Sequence, residues 1–160
     1  MTKTKTKTKT KTKKKTMRHL LLPAAALLLA GCGDGVYALP DNAPMLEQET
    51  YVSETDKDDE YNSILYGGRQ YVCYGTINGR FGDGAVGTCV GYTDGDTNER
   101  VCSLKDTDDY ILQRYVGGFM EQPMLYRAID TKGKEIYTPP YIESLDYDVW
   151  NNETAKEGRS

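Results

Sequence analysis

The chain has 160 residues, with 20 basic and 24 acidic side chains and a formal net charge of −4, enough length for one globular domain. Nine of the basic residues and none of the acids lie in 1–31, which leaves 11 basic against 24 acidic residues, a net charge of −13, in 32–160. A chain so acidic is repelled by nucleic acid and by anionic lipid surfaces, so no nucleic-acid partner is expected.

In chain order, residues 1–16 form a Thr-Lys repeat with eight lysines and no acid. With no apolar residue after Met1, this stretch builds no core. Met17-Arg18-His19 follows, then an apolar run from Leu20 to Ala30. A basic region, an apolar region and small closing residues make a secretory signal. The run has eleven residues, about 16 Å of helix, against the ~30 Å of a hydrocarbon core. Pro23 argues further against a spanning helix. Two readings of the repeat stand: a long basic region of the signal, or an upstream extension with translation starting at Met17. The second is favoured, because the segment from Met17 is by itself a complete signal.

Leu29-Ala30-Gly31-Cys32 closes the apolar run and resembles the lipobox of bacterial lipoproteins. The resemblance covers residues 17–32. It implies a thioether-linked diacylglycerol on Cys32, cleavage between Gly31 and Cys32, and an exported domain held on a cell-envelope membrane. A thiolate is the nucleophile suited to take the lipid. Each buried methylene contributes ~0.8 kcal/mol, and two acyl chains hold where one is marginal. His19, the only histidine, falls on the signal side of that cut. The mature chain then lacks a Ser-His or Cys-His catalytic pair and any histidine metal ligand.

Residues 33–60 read as an acidic tether. They contain Gly33, Gly35, Pro40, Pro44 and the cluster Asp56, Asp58, Asp59 and Glu60, with no sustained apolar period. Asp56 to Leu65 admits one short helix, ended by Gly67-Gly68. From Arg69 onward short apolar segments alternate with turn signals. Gln70–Ile77 precedes Asn78-Gly79, a two-residue turn signal. Ala85–Tyr92 precedes Asp94-Gly95, and Glu99–Leu104 is a third segment. Tyr110–Val116 ends at Gly117-Gly118, and Met124–Ile129 at Lys132-Gly133. Glu135–Tyr137 adds a short edge strand before Pro139-Pro140. The spacing predicts a mostly β domain over 61–150, a small antiparallel meander forming a barrel or half-open sandwich, with at most a short helix. Residues 151–160 read as a polar tail. All thirteen Tyr lie beyond Cys32, a residue type suited to half-buried strands. Tyr74-Gly75-Thr76, Gly91-Tyr92 and Met124-Leu125-Tyr126-Arg127 resemble segments of uncharacterised bacterial lipoproteins, a likeness that implies no function.

Three cysteines follow Cys32: Cys73, Cys89 and Cys102. With Gly95-Asp96 as a two-residue hairpin loop, Cys89 stands opposite Cys102 and a disulfide is expected, as an oxidising compartment permits. With Asp94-Gly95 as the loop, Cys89 faces Arg100 instead. A third reading buries all three as thiols. Cys73, between Val72 and Tyr74, is expected as a buried thiol.

No cofactor or metal is expected. Asp94 to Asn98 alternates oxygen ligands, but Glu99 and Lys105 stand where a calcium loop needs Gly and Glu, so a turn is expected. The glycine-rich stretch from Gly75 to Gly91 lacks the ending of a phosphate loop. Tyr115, Phe119, Tyr126 and Trp150 are candidates for a binding face, with core or cross-strand packing as the simpler role. The leading function is a non-enzymatic binding module for an envelope protein or glycan. The alternatives are a carboxylate-dependent hydrolase of envelope glycan and a purely structural lipoprotein.

Overall fold

The computed structural model describes residues 35–117, 122–145 and 147–150, all within one unit, Gly31–Ser160. The Thr-Lys repeat, the apolar run, Cys32, Phe119 and the polar tail lie outside the described residues. Eight strands follow in order: β1 (Gln48–Val52), β2 (Glu60–Tyr66), β3 (Arg69–Ile77), β4 (Val86–Thr93), β5 (Asp96–Leu104), β6 (Tyr110–Tyr115), β7 (Met124–Ala128) and β8 (Ile142–Ser144). Single 3₁₀ turns lie at Gly35–Tyr37, Asp83–Ala85 and Ile129–Thr131, and residues 148–150 form a helical turn. No described helix is long and apolar enough to cross a membrane.

The strands form one antiparallel sheet in the order β1-β2-β3-β7-β6-β5-β4, with β8 added on β3. This is the half-open form of the expected β domain, since no ladder closes it into a barrel. It consists of two meanders, β1–β3 and β4–β7, joined where β3 pairs β7. Asn78-Gly79 is therefore not a hairpin turn. Asn78 Oδ1 accepts the Arg80 amide at 2.9 Å, an Asx turn that starts the connection to the far edge. True two-residue loops lie at Gly67-Gly68, with φ +60° and +77°, and at Asp94-Gly95, with φ +54° and +72°. Positive φ at both positions is the twist that joins antiparallel strands tightly.

The expected helix over 56–65 is corrected to a turn and strand β2. The acids that suggested it shape the turn from β1. Asp56 Oδ1 accepts the Asp58 amide, and the Ser53 amide donates to the Asp59 carbonyl at 2.9 Å. Residues 35–60 likewise belong to the folded sheet rather than to a free tether. Tyr37 is buried among Cys89, Leu112 and Leu125, and β1 pairs with β2 from Gln48↔Ile64 to Val52↔Glu60. No strand forms at Glu135–Tyr137. Ile136 packs singly on the core and Thr138 bonds Tyr110, while the edge strand β8 follows the two prolines.

Alternation divides the sheet into two buried faces. Ile64, Tyr71, Cys73, Val101, Ile111, Tyr126 and Ala128 share one face with the partly buried Leu46 and Val90. β2 and β4 lie far apart in the sheet order, so a cluster containing Ile64 and Val90 requires the sheet to curl around it. The other face carries Val86, Cys89, Cys102, Tyr110, Leu112 and Leu125, and is covered by Tyr37, Phe81, Ile136 and Tyr141 from the connections. A third cluster, Val72, Val149 and Trp150, sits where β2 leaves β3. There the Trp150 indole donates to the Cys73 carbonyl at 2.9 Å.

Candidate functional site

The inner face ends in a chain of polar side chains, one from each of β4 to β7. Gln113 follows Ile111 by two positions on β6 and so faces the same interior. Its neighbours are set by register, Val101↔Gln113 on one side and Gln113↔Met124 on the other. Tyr126 donates its hydroxyl to Gln113 Oε1 at 2.7 Å. Gln113 Nε2 donates to Thr93 Oγ1 at 2.8 Å and to Glu99 at 3.4 Å, and Thr93 donates to Glu99 Oε2 at 3.1 Å. Burial raises the Glu99 carboxyl above its ordinary range. The Thr93 hydrogen bond opposes that shift, and the neighbouring Asp94 adds to it. Burial also pushes up the Tyr126 phenol, so it remains a protonated donor. The chain thus presents an acid that holds its proton unusually well, oriented by an amide and a phenol. Among the described side chains no buried polar atom lacks a partner.

Asp94 neighbours Glu99 and Asp148 neighbours Asp59, and each neighbour helps to raise the carboxyl beside it. Of Asp94 to Asn98, Asp94 and Gly95 make the β4–β5 turn and Asp96 opens β5, its Oδ1 accepting the Asn98 amide at 2.8 Å. Among the described residues, no group of three or more His, Cys, Asp or Glu is placed to hold a metal ion.

Cys89 and Cys102 stand directly opposite in the β4–β5 ladder and are joined as a disulfide on the outer face. The loop that makes this hairpin is Asp94-Gly95, the register expected to bring Arg100 to Cys89. Bulges reverse that outcome. The pairing runs from Thr93↔Asp96 to Tyr92↔Arg100, then Gly91↔Val101 and Cys89↔Cys102. Three extra residues enter β5 and one enters β4, which restores the cysteine pair. Cys73 is a free buried thiol on the inner face, its pKa raised by burial, 3.6 Å from the Tyr147 hydroxyl.

The aromatic candidates do not form one face. Tyr126 packs in the interior, Trp150 beside Val72 in the third cluster, and Tyr115 is only half-buried. Three arginines carry more of the architecture than the sequence signalled. Arg69 makes a two-pronged contact with Asp130, at 2.6 and 3.0 Å, and reaches Asp109 at 2.9 Å. Arg127 lies 4.7 Å from the Trp150 ring centre and 5.2 Å from that of Tyr74, and bonds Thr131. Arg100 donates to the Tyr37 carbonyl. A cation set within an apolar strand, as in Tyr126-Arg127-Ala128, is the signal available for such residues. Comparison with known protein families, curated proteins and solved structures finds no match for the chain.

Proposed function

We propose that the chain is a lipid-anchored protein of the bacterial cell envelope, held by diacylglycerol on Cys32, with a β domain outside the cytoplasm. The domain serves as a non-enzymatic binding module for an envelope protein or glycan. The observation that carries the location is Leu29-Ala30-Gly31-Cys32 at the end of an apolar run. The Cys89–Cys102 disulfide supports it, because structural disulfides persist outside the reducing cytoplasm. The non-enzymatic reading is supported at the polar end of the inner face, where Tyr126, Gln113, Thr93 and Glu99 spend their hydrogen bonds on one another.

Labelling with a palmitate analogue tests the anchor. The parent chain is expected to take the label and sediment with membranes, and Cys32→Ala to lose both properties. Equal labelling of the two chains refutes the assignment. Cross-linking in intact envelopes, followed by purification, is expected to recover a protein or glycan bound to the domain. Recovery of the chain alone overturns the binding module.

A further inference from the structure

Folding of residues 35–60 into the domain changes how far that domain stands from its anchor. A free 28-residue tether would separate them by roughly 30 Å, taking 5–6 Å times the square root of its length. The turn Gly35–Tyr37 instead already packs on the domain, with Tyr37 in its core. Only Gly33 and Asp34 lie between Cys32 and Gly35. Three peptide steps reach at most about 11 Å even when fully extended. The interfacial layer on each side of a bilayer is itself about 5–7 Å deep.

The Gly35–Tyr37 corner is also a stiff joint. Tyr37 is 7% exposed, and its hydroxyl accepts from Arg114 at 2.8 Å and donates to Asp83 at 3.4 Å. The Arg114 guanidinium lies 4.4 Å from the Tyr37 ring centre, and the Tyr37 carbonyl accepts from Arg100. One residue is thus fixed through its ring, its hydroxyl and its backbone, to β5, to β6 and to the turn at Asp83. Beside it, Val36 is among the exposed large apolar side chains.

We propose that the domain is seated on the membrane by its Gly35–Tyr37 corner, with the lipid headgroup layer as the partner of that corner. This rests on lipid attachment at Cys32. The seat presents Val36 to the interface and holds the sheet in one orientation. It confines the module to ligands at or in the same membrane. Because residues beyond the cut carry a net charge of −13, the short link works against electrostatic repulsion from anionic headgroups.

The test uses the mature lipidated chain in phosphatidylcholine vesicles, with a bimane probe on Val36→Cys and nitroxide on the lipid headgroup. A second chain carries a twelve-residue Gly-Ser insertion between Gly33 and Asp34. Both chains are first floated with the vesicles. Flotation with at least twofold stronger quenching in the uninserted chain is the expected result. Flotation with equal quenching in the two chains overturns the seat while leaving the anchor standing. Failure of both chains to float removes the anchor, and the seat with it.

Discussion

Glu99 is half-buried at the polar end of the inner face, and its ionisation works against the fold. Burial is the largest influence on its carboxyl and raises it, with Asp94 adding and Thr93 opposing. A carboxyl whose folded pKa is raised contributes most below its unfolded value. That contribution is lost as pH rises through the folded value. Glu99→Gln removes the charge and keeps an oxygen for the Thr93 hydroxyl. Its melting temperature should therefore exceed that of the parent at pH 7 and converge on it below about pH 4, the ordinary range of a glutamate. A Glu99→Gln protein that melts lower at pH 7 would show that the ionised carboxylate favours the fold. Asp130 has the opposite sign, because its bonds to Arg69 hold its carboxyl below the usual range. Its contribution is present above the unfolded value and is lost as pH falls through the folded one. It is largely exposed, so solvent screening keeps that acid limb shallow. None of Thr93, Glu99 and Gln113 stood out in the sequence, where each occupies a polar position of an alternating strand. Gln113 lies inward by the parity of Ile111, but a polar residue near a strand end reads as solvent-facing until its hydrogen-bond partners are known.

The β4–β5 hairpin is the element most dependent on a covalent link. Its ladder shifts register between Val86 and Cys89, between Cys89 and Gly91, and between Tyr92 and Thr93. Each bulge interrupts pairing and bends the strand. The Cys89–Cys102 disulfide spans the middle of this irregular ladder with a sequence separation of 13. A loop of that length stabilises by about 3 kcal/mol in the chain-entropy description. Reduction, or the double change Cys89→Ala with Cys102→Ala, should lower the free energy of unfolding by that order in urea titrations. Superimposable titrations with and without reductant would show that the ladder holds without the bridge. Strands β3 to β7 were legible because each is an apolar segment closed by turn residues. β1 was not, since Gln48-Glu49-Thr50 has no apolar period and its strand form depends on pairing with β2. β8 was hidden for a similar reason. It is three residues long and forms only because Gly75 lets the Glu143 backbone approach β3. The cysteine pair was legible as an alignment, but the bulges that produce it leave no mark in a periodicity.

At the scale of the whole molecule, the two edges of the curled sheet are bridged by a single short segment. Residues 44–46 run beside β4, with Met45 bridged to Tyr92. The Leu46 amide donates to the Tyr92 carbonyl at 2.8 Å, and the Tyr92 amide to the Pro44 carbonyl at 3.2 Å. The chain then passes into β1 at the opposite edge, and Glu47 accepts the Leu65 amide at 2.9 Å. Leu46 thereby closes the inner core beside Val90 and Tyr66. Gly91 makes this approach possible. A Cβ placed there would lie 2.6 Å from the Pro44 carbonyl oxygen and 2.7 Å from Leu46 Cγ, separations no unstrained carbon adopts. Its φ is not in the left-handed region, so space alone dictates the glycine. Gly91→Ala must displace the 44–46 segment or push β4 outward, and overpacking of this kind costs about 1–3 kcal/mol. The expected signature is a lowered melting temperature together with faster proteolysis between Ala38 and Leu46, as the bridge lifts and Leu46 loses its seat. Gly84→Ala is the matched control, since nothing lies within 4 Å of a Cβ at that position, and it should melt with the parent. A Gly91→Ala protein with parental melting and parental cleavage would mean that the curl is held by its inner core, and that the 44–46 segment follows the sheet instead of fastening it.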